Sequence, residues 1–128
     1  LGIKLDEAPY RKSWDEYFLE IAEVVSTRAT CPRASVGAVI VVDHRIVAAG
    51  YNGALVGEPH CTDVDCDIVD GHCQRAIHAE VNAVAQAARS GVAVDNATLY
   101  MYDSQRREVC RECQKVVRAA GISRVVRG

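Results

Sequence analysis

The sequence predicts an α/β fold: one mixed sheet with helices on its faces, built by a single domain over residues 1–128. Three observations carry this. Helical apolar stripes alternate along the chain with short β-branched runs. A tight turn at Asp43-His44 separates two of those runs, so one strand pair is antiparallel. The 128 residues, 49% hydrophobic and 25% charged, suit one core in a globular protein.

The elements follow in order. Ser13-Trp14-Asp15-Glu16 has the form of a capping box, and Tyr17, Phe18, Ile21, Val24 and Val25 continue it as a helical stripe, so a first helix is placed over Trp14 to Thr27. Cys31-Pro32 ends it. Val36 to Val42 is an unbroken β-branched run, a strand covered on both faces. Arg45 to Ala49 returns beside it after the turn, with His44 an exposed turn residue. Gly50-Tyr51-Asn52-Gly53 reads either as a plain turn or as a loop where the backbone meets a ligand and Asn52 both donates and accepts. Residues 54 to 75 lack periodicity and form a long loop. His78 to Ser90 is a second helix, with Val81, Val84, Ala85 and Ala88 as its apolar stripe and Gly91 ending it. Thr98 to Tyr102 is a third strand, and Asp103 to Glu108 a polar loop. A third helix starts at Cys110 and stops at Gly121, and Ser123 to Arg127 is a final strand.

Bulk properties narrow the function. No apolar run approaches membrane-spanning length, and Leu1 to Arg11 lacks a signal-peptide core, so a cytoplasmic protein with no membrane partner is expected. A net charge of −2 and a pI near 6.1 argue against a grip on long nucleic acid. Arginines gather late, at Arg106, Arg107, Arg111, Arg118, Arg124 and Arg127. They read as solvated surface, or one or two of them meet a nucleotide phosphate. The six cysteines suit metal binding better than disulfides in a reducing compartment, because they cluster with histidines.

The chemistry concentrates in His78-Ala79-Glu80 and, further on, Cys110-Arg111-Glu112-Cys113. One imidazole and two thiolates suit a tetrahedral Zn2+ whose fourth position stays open for water. Cys110 and Cys113 share a face of one helical turn, and a helix N-terminus favours their thiolates. Glu80 beside His78 is placed to shuttle protons between that water and a substrate. This spacing is the pattern of zinc-dependent nucleobase deaminases. The long loop holds His60, Cys61, Cys66, His72 and Cys73, with Cys31 before the preceding strand. Two readings compete there: reduced thiols without metal, or a second, structural zinc on Cys31, Cys61 and Cys73 with Cys66 or His72 as fourth ligand.

The whole chain resembles the deoxycytidylate deaminases of the cytidine deaminase superfamily. The resemblance runs through Ser13-Trp14-Asp15-Glu16-Tyr17-Phe18, Cys31-Pro32-Arg33, Val36-Gly37-Ala38-Val39, Gly50-Tyr51-Asn52-Gly53, Pro59-His60-Cys61, Gly71-His72-Cys73, His78-Ala79-Glu80 and Ala119-Ala120-Gly121-Ile122. It implies a cytidine deaminase-like three-layer α/β/α sandwich around a mixed five-stranded sheet. It implies hydrolysis of dCMP to dUMP with release of ammonia, zinc on His78, Cys110 and Cys113, and Glu80 as proton shuttle. By the same resemblance Asn52 and Ala79 meet the substrate, and Gly50, Tyr51 and Gly53 lie near a site for the effectors dCTP and dTTP. The assembly implied is a homo-oligomer, commonly a hexamer, and a second zinc occurs in relatives at positions matching Cys31 and Cys61. Two departures stand out: Val109 replaces the usual Pro before the first Cys, and the stretch from Met101 to Val109 is lengthened by Ser104-Gln105-Arg106-Arg107. That loop borders the base pocket, so a modified cytosine nucleotide or another aminated base is the alternative substrate, as is a free nucleoside. A zinc-stabilised binding module is the non-enzymatic alternative, against which Glu80 argues, because a structural site has no use for a carboxylate beside its His.

Overall fold

The computed structural model describes residues 10–55, 57–64, 68–69, 72–73 and 76–128. Helix α1 spans Trp14–Ser26, strand β1 Val36–Val42, β2 Arg45–Tyr51, α2 Ala79–Arg89, β3 Thr98–Asp103, α3 Arg111–Ala119 and β4 Arg124–Arg127. The strands form one mixed sheet in the order β2-β1-β3-β4. β1 pairs antiparallel with β2 (Gly37 opposite Tyr51) and with β3 (Val36 opposite Asp103), while β4 runs parallel to β3 (Thr98 opposite Arg124). The β1–β2 turn places Asp43 and His44 at φ 50° and 60°, the paired left-handed geometry of a two-residue hairpin. His44 is exposed as expected, yet its ring stacks on Trp14 at 4.2 Å.

Side-chain alternation along β1 splits the core in two. Val39 and Val41, with Tyr100, face α1 and pack on Phe18 and Ala22. Ala38 and Ile40, with Leu99 and Met101, face α2 and α3 and pack on Ala79, Ala83, Cys113 and Val117. This is the expected three-layer sandwich. The expected fifth strand is not among the described residues, where the sheet has four. The short strands of the 53–77 segment pair with one another, Gly53–Ala54 with Ala76–Ile77 and Ile68–Val69 with His72–Cys73, and do not extend the sheet. On the outer edge of β2, the Ala49 N–H donates to Gln86 Oε1 at 2.7 Å.

Two helix faces differ from the stripes read in the sequence. In α1 the buried residues are Phe18, Ala22 and Ser26, and Tyr17 and Val24 stay exposed. In α2 the buried line is Ala79, Glu80, Ala83 and Ala87, whereas Ala85 and Ala88 face solvent. The reason is close approach. A Cβ on Gly50 would sit 2.5 Å from the Ala83 backbone N, and one on Gly37 would collide with the Ala22 carbonyl. Each glycine lets a helix lie directly on the sheet, and small residues on the helix line up against it. Gly50 and Tyr51 therefore finish β2 and do not form the sharp turn considered for them.

The caps agree with the sequence. Ser13 Oγ accepts from the Glu16 N–H at 3.2 Å, and the Glu16 carboxylate accepts from the Ser13 N–H at 3.5 Å. Gly91 and Gly121 adopt φ of 70° and 93° just past α2 and α3, where an L side chain is disfavoured.

Candidate metal centre

The site is assembled from two helix starts. His78 is the N-cap of α2 and Cys110 the N-cap of α3, both in extended backbone (φ −66°, ψ 150° and φ −65°, ψ 158°). The His78 side chain does not cap its own helix; its Nδ1 lies 3.1 Å from Cys113 Sγ and 3.4 Å from Cys110 Sγ. Cys110 Sγ accepts from the Cys113 N–H at 3.4 Å, so the first turn of α3 fixes one thiol against the other. The three donor atoms lie within 4.8 Å of one another. Tetrahedral zinc with bonds of about 2.0 Å to nitrogen and 2.3 Å to sulfur sets its donors roughly 3.6 Å apart, close to this spacing.

The electrostatics fit a cation as well. Cys113 is buried, and burial pushes its thiol well above the usual range, with the contact to Cys110 and the charge of Glu80 adding to the effect. A divalent ion bound by nitrogen and sulfur donors would offset that penalty on the Cys113 thiolate. Both helices also aim their N-terminal ends at the site, where negative charge is favoured. The donor set, its spacing and its charge thus fit Zn2+. Among the described residues this is the one group of three metal-ligating side chains found together.

A cavity of about 260 Å³ opens beside the trio, with His78, Cys110 and Glu80 on its wall. Glu80 is 4% exposed and belongs to the buried line of α2, so its carboxylate is held by the helix and not by a loop. Ala79, fully buried, sits on the same wall at the first helical position, where the backbone N–H has no partner within the helix.

Asn52 also lines the cavity, and its side chain has a further task. Its Oδ1 accepts from the Val36 N–H at 2.9 Å and its Nδ2 donates to the Ala34 carbonyl at 2.8 Å. The amide thus clamps the segment entering β1, leaving one lone pair and one N–H for anything in the cavity. Gly50 and Gly53 serve internal packing, against Ala83 and against Thr30 Oγ1. Of the residues considered for a second metal, Cys31 is half-buried and lines the cavity, Cys61 is buried, Cys66 lies outside the described residues, and His72 and Cys73 are described in backbone only. The Thr62 N–H donates to the Thr30 carbonyl at 3.2 Å, which ties the Cys61 segment to the Cys31 segment.

Asp103 and Glu108 were not singled out from the sequence as site residues, whereas Arg107 was among the arginines read as solvated surface or as phosphate contacts. Asp103, read as loop, ends β3 and is 5% exposed. Arg107 Nε donates to Asp103 Oδ2 at 3.0 Å, and Glu108 and Arg33 lie on the same wall. The available signal was the four-residue lengthening at Ser104-Gln105-Arg106-Arg107, of which Arg107 lines the pocket the loop was expected to border.

Over residues 12–128 the chain matches the family described as the cytidine and deoxycytidylate deaminase zinc-binding region. It is 44% identical over 115 residues to ComE operon protein 2 of Bacillus subtilis (strain 168), covering 90% of this chain and 59% of that protein. It is 39% identical over 127 residues to the deoxycytidylate deaminase of Mycobacterium phage D29, covering 91% of this chain and 94% of that protein. In three dimensions it resembles the dCMP deaminase of cyanophage S-TIM5 in complex with dCMP and dUMP, with a TM-score of 0.77, 29% identity, and coverage of 93% of this chain and 83% of that one.

Proposed function

The chain belongs to the cytidine and deoxycytidylate deaminase family, and from that premise we infer that it hydrolyses dCMP to dUMP and ammonia. The observation that carries the reading is the His78, Cys110 and Cys113 trio with a buried carboxylate, Glu80, on the same cavity wall. A structural zinc site would normally add a fourth protein ligand and needs no such carboxylate.

The chemistry divides among the residues. His78 Nδ1 and the Sγ atoms of Cys110 and Cys113 would hold the zinc, which when bound would supply a water of lowered pKa. Glu80 is the proton shuttle: its carboxylate accepts a proton from the attacking water and delivers protons to the ring nitrogen and then to the departing ammonia. Water in and ammonia out balance the reaction, and Glu80 ends as it began. Ala79 N–H and the spare valences of Asn52 offer neutral hydrogen-bonding groups for the base and sugar.

One observation favours a second reading, a modified cytosine nucleotide or another aminated nucleotide as substrate: Asp103, Arg107 and Glu108 bring the lengthened loop onto the cavity wall. Ammonia release from dCMP, 5-methyl-dCMP, 5-hydroxymethyl-dCMP, CMP, deoxycytidine, dCTP and purine nucleotides decides between the two. Turnover led by dCMP supports the first, turnover led by another member replaces it, and zinc content without ammonia from any of them leaves a zinc-stabilised binding module.

The same reading extends to assembly and regulation. We place the protein in the cytoplasm as a homo-oligomer, a hexamer by resemblance; no described helix is long and apolar enough to cross a membrane, and Trp14, Tyr17, Val24 and Val125 are large apolar side chains left exposed. Effector contacts for dCTP or dTTP at Gly50, Tyr51 and Gly53 rest on the resemblance. A structural zinc on Cys31, Cys61 and Cys73, with Cys66 or His72, is supported by the tie between the Cys31 and Cys61 segments. Metal analysis giving two zinc ions per chain, falling to one in Cys61→Ser, is the expected result.

A further inference from the structure

We propose that Arg107, held on the cavity wall by Asp103, receives the 5′-phosphate of the nucleotide and selects nucleotide over nucleoside; this rests on the deaminase reading above. The cavity carries the zinc ligands on one part of its wall and the end of β3 with the following loop on another. The loop is not slack. Ser104 N–H donates to the Ser35 carbonyl and Ser104 Oγ accepts from the Ser35 N–H, both at 2.9 Å, which fastens the loop to the segment before β1. Gln105 N–H donates to Asp103 Oδ1 at 2.7 Å, and Arg106 turns the chain at φ 54°. Arg107 then lies back against Asp103.

The pair differs from an ordinary surface ion pair. Asp103 is buried, with a side chain 6% exposed, whereas that of Arg107 is 56% exposed. A buried carboxylate fixes the guanidinium by its Nε edge. Among the described residues Arg107 makes no other hydrogen bond or ion pair. Its two Nη groups therefore remain, in a planar fork that matches phosphate oxygens. A dianionic phosphate needs a cationic partner here, because Glu80, Asp103 and Glu108 place three carboxylates on a wall whose arginines are Arg33 and Arg107. A lysine in the same place would be a point charge without the fork.

The test compares dCMP with deoxycytidine in the zinc-loaded enzyme, and dUMP with deoxyuridine by calorimetry. Arg107→Ala is expected to lower kcat/KM for dCMP by about 10- to 100-fold through KM, leave that for deoxycytidine unchanged, and weaken dUMP but not deoxyuridine binding. Arg107→Lys recovers part of the loss. Equal losses on dCMP and deoxycytidine, or no loss on either, overturn the assignment. So does a selectivity that falls in Arg33→Ala and survives in Arg107→Ala. If the wild type releases no ammonia but Arg107→Ala loses dUMP affinity, deamination falls and the phosphate contact stands. If deamination proceeds with unaltered selectivity in Arg107→Ala, the contact falls and deamination stands.

Discussion

Glu80→Gln keeps the volume of the side chain and removes the carboxylate proposed as proton shuttle. The variant is expected to retain its zinc while kcat falls by about 10²- to 10⁴-fold. Metal analysis beside ammonia release checks both halves. His78→Ala removes a ligand from an exposed position, so zinc content is expected to fall steeply while circular dichroism stays native. At this scale the sequence was most readable. Imidazole, thiols and carboxylate announce themselves by chemistry and spacing, and His78, Glu80, Cys110 and Cys113 come together as their motifs implied. Asp103 was not readable. An aspartate after a strand is ordinarily a solvated loop residue, and only the tertiary position of β3 buries it. Asn52 was half readable: its place on the cavity follows from the motif, its clamp on Ala34 and Val36 does not.

Between the two helix-bearing faces of the sheet, two glycines give a paired prediction. Gly50→Ala forces α2 away from β2, and α2 carries His78 and Glu80. Gly37→Ala forces α1 away from β1 on the opposite face. Each is expected to cost about 1–3 kcal/mol, with the second at or above the top of that range because its Cβ would come closer to the Ala22 carbonyl than that of Gly50 to the α2 backbone. Gly50→Ala should also lower kcat and zinc content, whereas Gly37→Ala should lower the urea midpoint with kcat per folded molecule unchanged. Ser13→Ala, which breaks the capping box, is expected to cost about 1 kcal/mol by the same denaturation measurement. Helix existence and ends were legible because caps are local: Ser13, Gly91 and Gly121 act within a few residues. Helix faces were misjudged because the apolar count favoured Val24 and Ala85, while the bare backbone of Gly37 and Gly50 drew Ala22 and Ala83 inward.

Across the whole molecule, α1 is tied to both final strands by one carboxylate. Asp15 accepts from Tyr100 Oη at 2.7 Å and from both Arg124 Nη atoms at 3.0 and 2.6 Å. Arg124 first, and Tyr100 second, hold the Asp15 carboxyl below its ordinary value of 3.8. A depressed folded pKa means the contribution is whole above that ordinary value and is lost as pH falls through the lower, folded one. Asp15 is partly exposed, so the effect is screened. Asp15→Asn should therefore lower the urea midpoint modestly at pH 7 and flatten its decline below about pH 4, where protonation of Asp15 no longer matters. The mixed sheet was predictable from element order, but its strand order was not, because β1 pairs with β3 across a long stretch of chain (Val36 opposite Asp103) and nothing local links them.

The two ligand-bearing helix starts carry a kinetic consequence. Cys110 and Cys113 are neighbours in any conformation that forms one helical turn, so they can meet an ion in a chain that has barely begun to fold. His78 is 32 positions from Cys110, and β3 lies between them in the chain. The imidazole reaches the thiols only when that strand has inserted beside β1 and α2 and α3 have settled on the same face. Full coordination is thus a late event, and a fully loaded site certifies a closed sheet. In refolding, zinc capture at full affinity should trail the burial of Phe18 and Tyr100, and a chain stalled before β3 inserts would hold the metal only loosely, through its two sulfurs.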